Sequence, residues 1–523
     1  MRSSADHGTT ATRRLFGLPG LALVVMLVVV PLLSLASRAV TSDAVFDVWS
    51  KPGITSAVVF TVWQTIASTA LTLLIGLIPA WAFSRHSFAF RRAALAAVTV
   101  PFVLPTVVVG AAFLQLLPDG WNRGWLAVIV AHVYFNVAVV VRTVAPAWAL
   151  LDPRLEDAAR TLGASRLRVF STITLPHLRH ALLSAAAIVG FMCFTSYGVV
   201  RLLGGGHATM EVEIYRRAML FGDVSGSTAL ALGQLLILAA CLTFWSRREP
   251  TAVSRVRSHE RGNPWAALVA WVTVTITAVP LVSLILASFR NRGHWTVAGW
   301  NVLIGQQRVV GLDIDLVATV GRSLVFAGIA TVVAVPIGLL AVHASRNSGG
   351  MERIMMIPLG TSAVAVALGI LITYDVSPID FRASWWLIPL VHSVVALPFV
   401  VRTISPVRSR IPDDLRLAAA TLGASPVRTW FTVDRPLLMT AIRTATGLSA
   451  ALSIGEFGAT SLMSRRNTDT LPVAVERLLS RTGDLARLSG QSAAVVLLAV
   501  AVTVLLVFGR FDDLGSAGMG ARS

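Results

Sequence analysis

The 523-residue chain is 55% hydrophobic and only 13% charged, whereas soluble domains average about 25% charged residues, so its composition predicts an integral membrane protein. A formal net charge of +18 would favour nucleic acid as the partner of a soluble protein, but no basic run here carries interleaved aromatic residues, and nucleic-acid binding is not expected. The only lysine, Lys51, precedes Pro52, so the chain has no P-loop lysine and any ATPase must be another subunit.

Twelve apolar runs are each long enough to cross a bilayer core, which takes about 20 apolar residues per helix. The first run follows Arg13-Arg14 and lacks an Ala-x-Ala cleavage pattern, so it is predicted to be a membrane helix and not a signal peptide. The expected fold class is therefore an all-α integral membrane protein with about twelve transmembrane helices. The runs cover approximately 15–35, 57–83, 93–116, 125–148, 181–203, 226–246, 264–288, 318–343, 354–374, 384–405, 441–463 and 489–509.

Arginine is concentrated in alternate loops, which predicts the orientation because basic residues accumulate on the cytoplasmic side of a membrane. The arginine-rich segments are 85–92, 151–180, 247–263 and 409–440, whereas the intervening loops mix both signs of charge. With twelve spans, both termini are expected on the cytoplasmic side of a multi-pass protein of the cytoplasmic (inner) membrane. Pro101, Pro105 and Pro358 are predicted to kink the third and ninth spans.

The two halves of the chain resemble each other at a shift of 260 positions. Thr161–Ser165 recurs as Thr421–Ser425, and His132 recurs as His392. We therefore predict two tandem six-helix repeats in the same orientation, related by an axis along the membrane normal. The predicted domains are residues 1–246 with a cytoplasmic loop at 151–180, a cytoplasmic linker at 247–263, and residues 264–523 with a second cytoplasmic loop at 409–440.

Each repeated loop is expected to form a helix, a tight turn and a second short helix. Gly163 and Gly423 suit a left-handed helix end, and Ser165 and Ser425 suit the N-cap of the second helix. Pro426 stands at the favoured first position of that helix. Pro176 and Pro436 are predicted to end the second helices, before the next membrane spans begin.

The first loop resembles the conserved-pattern cytoplasmic loop of permeases in binding-protein-dependent ABC importers. That pattern, Glu-Ala-Ala-x3-Gly-x9-Ile-x-Leu-Pro, is matched from Asp157 to Pro176, with aspartate in place of glutamate. In the second loop Leu417 stands at the acidic position. The resemblance implies that both loops dock in ATPase subunits, so that two copies would serve a two-fold partner. It also implies that they dock unequally, with the first loop expected to matter more. The implied coupling residues are Asp157, Ala158, Ala159, Gly163, Ser165, Pro176, Ala418, Ala419, Gly423, Ser425 and Pro436.

The resemblance also implies the partners of the chain. Two copies of an ATP-binding subunit would act on the cytoplasmic side and use ATP and Mg, while this chain would bind no cofactor and would not itself be an enzyme. A solute-binding protein would dock on the outer side. The segments Cys193–Gly198, Leu202–Gly206 and Ser453–Thr460 are most similar to fused permeases that import ferric iron or thiamine, although molybdate and sulfate permeases share part of the last one.

Polar residues within the apolar runs are candidates for the transport path. Glu456 is predicted to lie inside the eleventh span, as a gate residue or as a structural hydrogen-bonding group, with Phe457 beside it. Ser196 and Tyr197 occupy the corresponding place in the first half. The two repeated histidines are expected to be structural. On the outer side, Glu211 and Glu213 are predicted to contact the binding protein.

Two other classes of function remain open. A proton- or sodium-coupled secondary transporter would need several buried acids near the midplane, and Glu456 is the only clear candidate. A membrane-embedded enzyme would need convergent catalytic groups, but we find no serine–histidine–acid set, metal cluster or carboxylate pair in the sequence pattern.

Overall fold

The computed structural model describes residues 17–41, 53–246, 262–312, 314–345, 350–376, 379–380, 384–465 and 467–508. Within these residues ten helices are long and apolar enough to cross a membrane, and two bent helix pairs bring the number of spans to as many as twelve. The predicted all-α integral membrane fold is confirmed. Arg13-Arg14, Lys51 and most of the predicted linker at 247–263 lie outside the described residues, and the division into two repeats stays a prediction.

Among the described residues, ten helices precede the linker and eleven follow it. Before it lie α1 (Gly17–Arg38), α2 (Ile54–Arg85), α3 (Arg91–Val103), α4 (Thr106–Leu116), α5 (Trp125–Leu150), α6 (Pro153–Thr161), α7 (Arg166–Phe194), α8 (Gly198–Leu203), α9 (Met210–Tyr215) and α10 (Val224–Ser246). After it lie α11 (Pro264–Ala287), α12 (Ala298–Leu303), α13 (Leu316–Ala344), α14 (Gly350–Gly360), α15 (Ala363–Thr373), α16 (Leu387–Ser409), α17 (Asp413–Thr421), α18 (Pro426–Gly455), α19 (Gly458–Met463), α20 (Leu471–Leu479) and α21 (Asp484–Phe508).

Two small antiparallel hairpins accompany the helices. In the first, β1 (Arg290–Asn291) pairs with β2 (His294–Trp295) directly after α11. In the second, β3 (Asp375–Val376) pairs with β4 (Ile379–Asp380) directly after α15. Each hairpin follows a helix, so both act as short connections between spans and not as a layer of the fold.

The long helix α2 shows how these spans are oriented. Its inward face is polar, with Thr61, Gln64 and Ser68 fully buried, whereas Ile66 and Leu74 on the outward face are more than 60% exposed. Lipid selects this distribution, because outward side chains meet hydrocarbon while inward polar groups can bond to neighbouring helices. Gln64 donates from Nε2 to the carbonyl oxygen of Cys193 in α7 at 2.9 Å, which ties the two spans together.

The two halves interlock through their first helices. Helix α1 packs along α15 of the second half, and α11 packs along α4 of the first half. Gly369 makes the first of these contacts possible, because a Cβ at that position would lie 2.8 Å from the carbonyl oxygen of Pro31. The first helix of each half therefore packs against one helix of the bent pair in the other half.

The predicted proline kinks are near-right-angle breaks in the structure. Helices α3 and α4 meet at 98°, and α14 and α15 meet at 95°. Leu104, which precedes Pro105, is extended, as expected because a proline disfavours helical conformation in the residue before it. Pro101 stays inside α3, and Pro358 lies in a 3₁₀ turn at the end of α14, so neither of them alone produces a bend.

Candidate functional site

The first loop has the predicted helix–turn–helix form. Helix α6 begins at Asp152, whose carboxylate accepts a hydrogen bond from the backbone N–H of Arg154 at 3.0 Å. It ends at Gly163, which takes a φ of 81°, a left-handed conformation that glycine adopts without a steric penalty. Ser165 then caps α7 by accepting from the N–H of Arg168 at 3.3 Å. The predicted turn and cap are confirmed.

The second loop repeats this geometry. Gly423 ends α17 with a φ of 78°, and Ser425 accepts from the N–H of Arg428 at 3.3 Å. Pro426 occupies the first position of α18, as predicted. Two segments of different sequence thus share one backbone form, because the residues that determine the turn are the same in both.

The prediction that Pro176 and Pro436 end the second helices is wrong. Helix α7 runs without a break from Arg166 to Phe194, and α18 runs from Pro426 to Gly455. In each, a π-helical turn (Phe170–Thr174 and Trp430–Asp434) directly precedes the segment that holds the proline. A proline is tolerated in the first turn after such a change of hydrogen-bond register, since its missing N–H is not required there. The loop is therefore continuous with the span that follows it.

A buried ion pair fixes the first loop to the membrane helices. Glu156 accepts from Arg85 of α2 at 2.9 Å and from the hydroxyl of Thr174 at 2.8 Å. Arg85 also donates to the carbonyl oxygen of Leu151 at 2.9 Å. Both charged side chains of the pair are only 13% exposed, and through them α6 is joined to α2 and, at Thr174, to α7.

The second loop is fixed by the opposite arrangement of charge. Arg416 occupies the position of Glu156 after the 260-residue shift, and Asp434 occupies the position of Thr174. Arg416 donates to Asp434 at 2.6 Å and 2.8 Å, and to Asp413 at 2.8 Å. The sequence analysis missed this anchor. Comparing the two repeats position by position would have revealed it. Where Glu156 is replaced by Arg416, Thr174 is replaced by Asp434, so a basic residue and an acidic residue appear together.

Each loop exposes several apolar side chains among charged ones. Leu162 and Leu422 are both 88% exposed, and Leu167 and Val427 are 77% and 66% exposed. The conserved-pattern acid Asp157 is exposed too and pairs only locally with Arg160, whereas Leu417 at the matching position is 62% exposed. Of the predicted coupling alanines, Ala158 and Ala418 are exposed, and Ala159 and Ala419 are partly buried. Apolar groups exposed in matched pairs are typical of a binding surface.

The predicted path residues meet where the two halves touch. Ser196 and Tyr197 lie in the break between α7 and α8, and Glu456 and Phe457 lie in the break between α18 and α19. The rings of Tyr197 and Phe457 contact each other across the halves, with centroids 5.0 Å apart and both side chains buried. These two aromatic side chains therefore form part of the contact between the halves.

Glu456 does not lie inside a continuous helix, as the sequence had suggested. It follows the last residue of α18 and accepts from the N–H groups of Ala459 and Thr460 at 2.9 Å and 3.0 Å, so its carboxylate caps α19. A carboxylate is favoured there by the positive end of the helix dipole. His392 bonds to the hydroxyls of Ser453 and Thr460 at 2.8 Å and so supports the same break. This agrees with the structural interpretation of Glu456.

The first half uses a simpler version of this support. His132 bonds through Nε2 to the hydroxyl of Ser196 at 2.8 Å, and its Nδ1 lies 3.4 Å from the hydroxyl of Ser68. Both histidines are at least 98% buried. The repeated histidines thus hold the unwound segments of their halves, in line with the structural role expected for them.

An ion pair that the sequence analysis missed joins the halves beside these aromatic residues. Arg201 of α8 lies 2.9 Å from Glu476 of α20, whose carboxylate is 9% exposed. The guanidinium also lies over the ring of Tyr215, 5.3 Å from its centroid, and Tyr215 in turn contacts Tyr197. The repeat does not pair these residues, because at the shift of 260 Arg201 aligns with Ser461 and Glu476 aligns with Arg216.

Glu211 and Glu213 are not presented as a docking surface. Their side chains are 1% and 7% exposed. Glu211 accepts from Gln234 of α10 at 2.6 Å, and Glu213 pairs with Arg217 at 3.0 Å. Burial raises the pKa of the Glu211 carboxyl to about 7, although the hydrogen bond from Gln234 opposes that shift. Glu211 thus bonds to α10, and Glu213 pairs with Arg217 one turn further along its own helix, so the predicted docking residues are buried and not exposed to a partner.

Metal-binding chemistry has no candidate among the residues that the structure describes. No three histidine, cysteine, aspartate or glutamate side chains converge there to hold an ion. The polar groups of the central interface instead bond to one another. What the geometry offers is two exposed loops, each anchored to membrane helices, and a central contact between the halves.

Comparison with known proteins identifies a matching family and several relatives of this chain. Residues 72–248 match the family described as binding-protein-dependent transport system inner membrane component. The chain is 22% identical over 513 residues to the probable ABC transporter permease protein y4fN of Sinorhizobium fredii, covering 90% of each chain. It is 22% identical over 459 residues to the thiamine transport system permease protein ThiP of Haemophilus influenzae, covering 79% of this chain and 81% of that protein.

A shorter match has higher identity. The putative 2-aminoethylphosphonate transport system permease protein PhnV of Salmonella typhimurium is 33% identical over 190 residues, which cover 35% of this chain and 70% of that protein. The matches to y4fN and ThiP, by contrast, extend over most of this chain and most of each relative. The chain therefore belongs to the family of inner membrane components of binding-protein-dependent transport systems, as a fused ABC importer permease.

Proposed function

We propose that the chain forms the substrate path of its importer and that two separate ATP-binding subunits drive it through the loops at 151–180 and 409–440. The observation that carries this proposal is the matched exposure of Leu162 and Leu422, each 88% exposed at the tip of an otherwise well-anchored loop. Exposed leucines on rigid supports suit a stable protein partner, because burying them upon assembly is favourable.

Movement of the loops would reach the centre of the molecule through rigid elements. The Glu156–Arg85 and Arg416–Asp434 pairs connect the loops to α2, α7 and α18. Helices α7 and α18 end at the central breaks, so approach of the ATP-binding subunits would shift Tyr197 against Phe457. The chain would then alternate between a closed centre, as here, and an open one that receives substrate.

Assembly with the ATP-binding subunit tests the first part of this proposal. We expect the Leu162→Asp/Leu422→Asp variant to lose the co-purifying subunit by tenfold or more, roughly the effect of removing a central apolar contact. Val310→Asp is the matched control, because Val310 is 93% exposed but lies outside both loops. Undiminished co-purification of the subunit with the leucine variant would contradict the proposed coupling surface.

For the transported substrate we propose thiamine, carried in on a solute-binding protein that docks at the end opposite the loops. Support comes from the thiamine permease of Haemophilus influenzae, which matches 79% of this chain. The test is uptake of labelled thiamine into vesicles that contain the chain, the ATP-binding subunit and the binding protein. Binding of ferric iron and not thiamine by that binding protein would overturn the assignment.

Coupling to a proton or sodium gradient is a weaker alternative. The structure buries more acids than Glu456, but each has a partner: Glu211 accepts from Gln234, Glu213 pairs with Arg217, and Glu476 pairs with Arg201, while Glu456 caps α19. A carboxylate already engaged in this way is poorly suited to carry an ion. Uptake that continued without ATP, and stopped when a protonophore collapsed the gradient, would favour this alternative.

A further inference from the structure

A groove of about 600 Å³ opens where α11 ends and α21 begins. One side of the groove is a stripe of α11 that includes Val279, Val282 and Leu286, which are 44–50% exposed and so open toward the surrounding membrane. Gln115 of α4 and Arg487 of α21 form the opposite side. The volume falls within the range of about 300–1,000 Å³ typical of small-ligand sites.

The mouth of the groove is basic. Arg290, Arg292 and Arg487 all line it. Among the described residues, Asp484 is the one acid that forms an ion pair with this group, at 2.9 Å from Arg292 and 3.7 Å from Arg487. Three guanidinium groups and one carboxylate leave a local charge of +2, so the mouth is complementary to an anion.

The depth of the groove matches one leaflet of a bilayer. Its lining on α11 extends from Thr275 to Ala287, twelve residue steps and therefore about 18 Å of helix. Half of a bilayer hydrocarbon core is about 15 Å thick. Trp295, in the hairpin beside the arginines, is 71% exposed, and tryptophan is enriched where hydrocarbon meets the headgroups. The basic mouth thus lies at headgroup level with the apolar groove beneath it.

We propose that this groove binds an anionic diacyl phospholipid, with its phosphate between Arg290 and Arg487 and an acyl chain along α11. The ligand chemistry is a phosphate diester, which a free headgroup could also supply. The lipid is favoured over a free headgroup because only the lipid has an acyl chain that can cover the apolar stripe of α11 below the arginines. Helix α11 clasps the broken span of the other half through α4, so a bound lipid would stabilise the contact between the halves.

Native mass spectrometry of the purified full-length chain tests the site. We expect one phosphatidylglycerol to be retained after detergent washing, in preference to phosphatidylcholine with the same acyl chains. The Arg290→Gln/Arg487→Gln variant should bind phosphatidylglycerol roughly 30-fold more weakly, about fivefold for each guanidinium removed. Arg123→Gln, at an exposed arginine outside the groove, is the matched control and should leave binding unchanged.

Two further arms distinguish the sources of the phosphate and guard against misfolding. Glycerophosphoglycerol, the headgroup without acyl chains, should not compete; full competition would overturn the lipid assignment. Val282→Trp fills the groove without removing a charge, and it should also displace the lipid if the acyl chain lies there. Equal retention of both phospholipids, or retention of phosphatidylglycerol in both the arginine and the tryptophan variants, would refute the proposal.

Discussion

Neighbouring carboxylates in the first loop have opposite environments. Glu156 is 13% exposed and is paired with Arg85, whereas Asp157 is 67% exposed and pairs only with Arg160 on the same helix. The family pattern directs attention to Asp157, but the intramolecular anchor is Glu156. Glu156 therefore holds the loop in place, whereas the next residue, Asp157, presents its charge to the surroundings.

Replacing these two acids should separate the roles. Glu156→Gln leaves the largely buried Arg85 without a carboxylate, and we expect a loss of about 1.5–3 kcal/mol in stability. Asp157→Asn should change stability by less than about 0.5 kcal/mol while weakening assembly with the ATP-binding subunit. Thermal unfolding in detergent measures the first effect and co-purification the second. Equal melting temperatures for the two variants would show that Glu156 is not an anchor.

At the scale of elements, the contact between the halves depends on short helices at the ends of long ones. Helices α8 and α20 bring Arg201 to Glu476, and the breaks before α8 and α19 bring Tyr197 to Phe457. Gly198 permits this packing, because a Cβ there would lie 2.2 Å from the hydroxyl of Thr106 and 3.2 Å from the ring of Phe457. Such closely fitted elements have few intermediate positions, as a two-state gate requires.

Loss of the Arg201–Glu476 pair should loosen this contact. Cys193 reports on it, because it is buried two residues before the break that holds Ser196. In a Cys241→Ser background, which removes the only other cysteine, we expect Arg201→Gln to raise the rate of Cys193 modification by a small thiol reagent several-fold. Removing Arg201 leaves the buried charge of Glu476 without a partner. That cost is lower when the contact opens to water, so the open form is favoured.

The matched control is Arg123→Gln, which changes an exposed arginine that takes no part in this contact. It should leave the rate of Cys193 modification as it is in the Cys241→Ser background. An unchanged rate in Arg201→Gln as well would show that the ion pair does not hold the centre closed.

On the scale of the whole molecule, the two bent pairs decide which face of the membrane each loop occupies. If α3–α4 and α14–α15 each cross the membrane, twelve spans place both loops on one side. If instead each pair enters and leaves the membrane on the same side, the loop that follows the pair lies on the opposite side relative to the helix that precedes it. The arginine-rich loops favour full crossings with both loops cytoplasmic, because positive residues remain on that side.

Cysteine labelling in intact cells should establish this orientation. Leu162→Cys and Leu422→Cys should react with a membrane-impermeant reagent only after the membrane is opened. Arg123→Cys, placed between α4 and α5, should react in intact cells. All three positions are exposed, so burial does not limit the reaction. Labelling of Arg123→Cys only after the membrane is opened, together with labelling of Leu162→Cys in intact cells, would identify α3–α4 as a re-entrant pair.

The amino-acid sequence by itself determined the all-α membrane fold, the approximate spans and the form of the loops. These follow from local rules: apolar runs of sufficient length form membrane helices, and Gly163 with Ser165 specifies a turn and a cap whatever surrounds them. Local rules failed at Pro176, where a π-helical turn absorbs the proline, and at Pro105, where a predicted kink is a 98° break.

Only the tertiary structure decided which polar groups meet. Glu156 finds Arg85 at a separation of 71 residues, and Arg201 finds Glu476 in the other half. It also showed that Glu211 is buried and that Glu456 caps a helix end. The physical reason is that a charge in a membrane protein must be paired or solvated. Which partner it meets depends on how the helices pack, and the spacing of residues along the chain does not specify that packing.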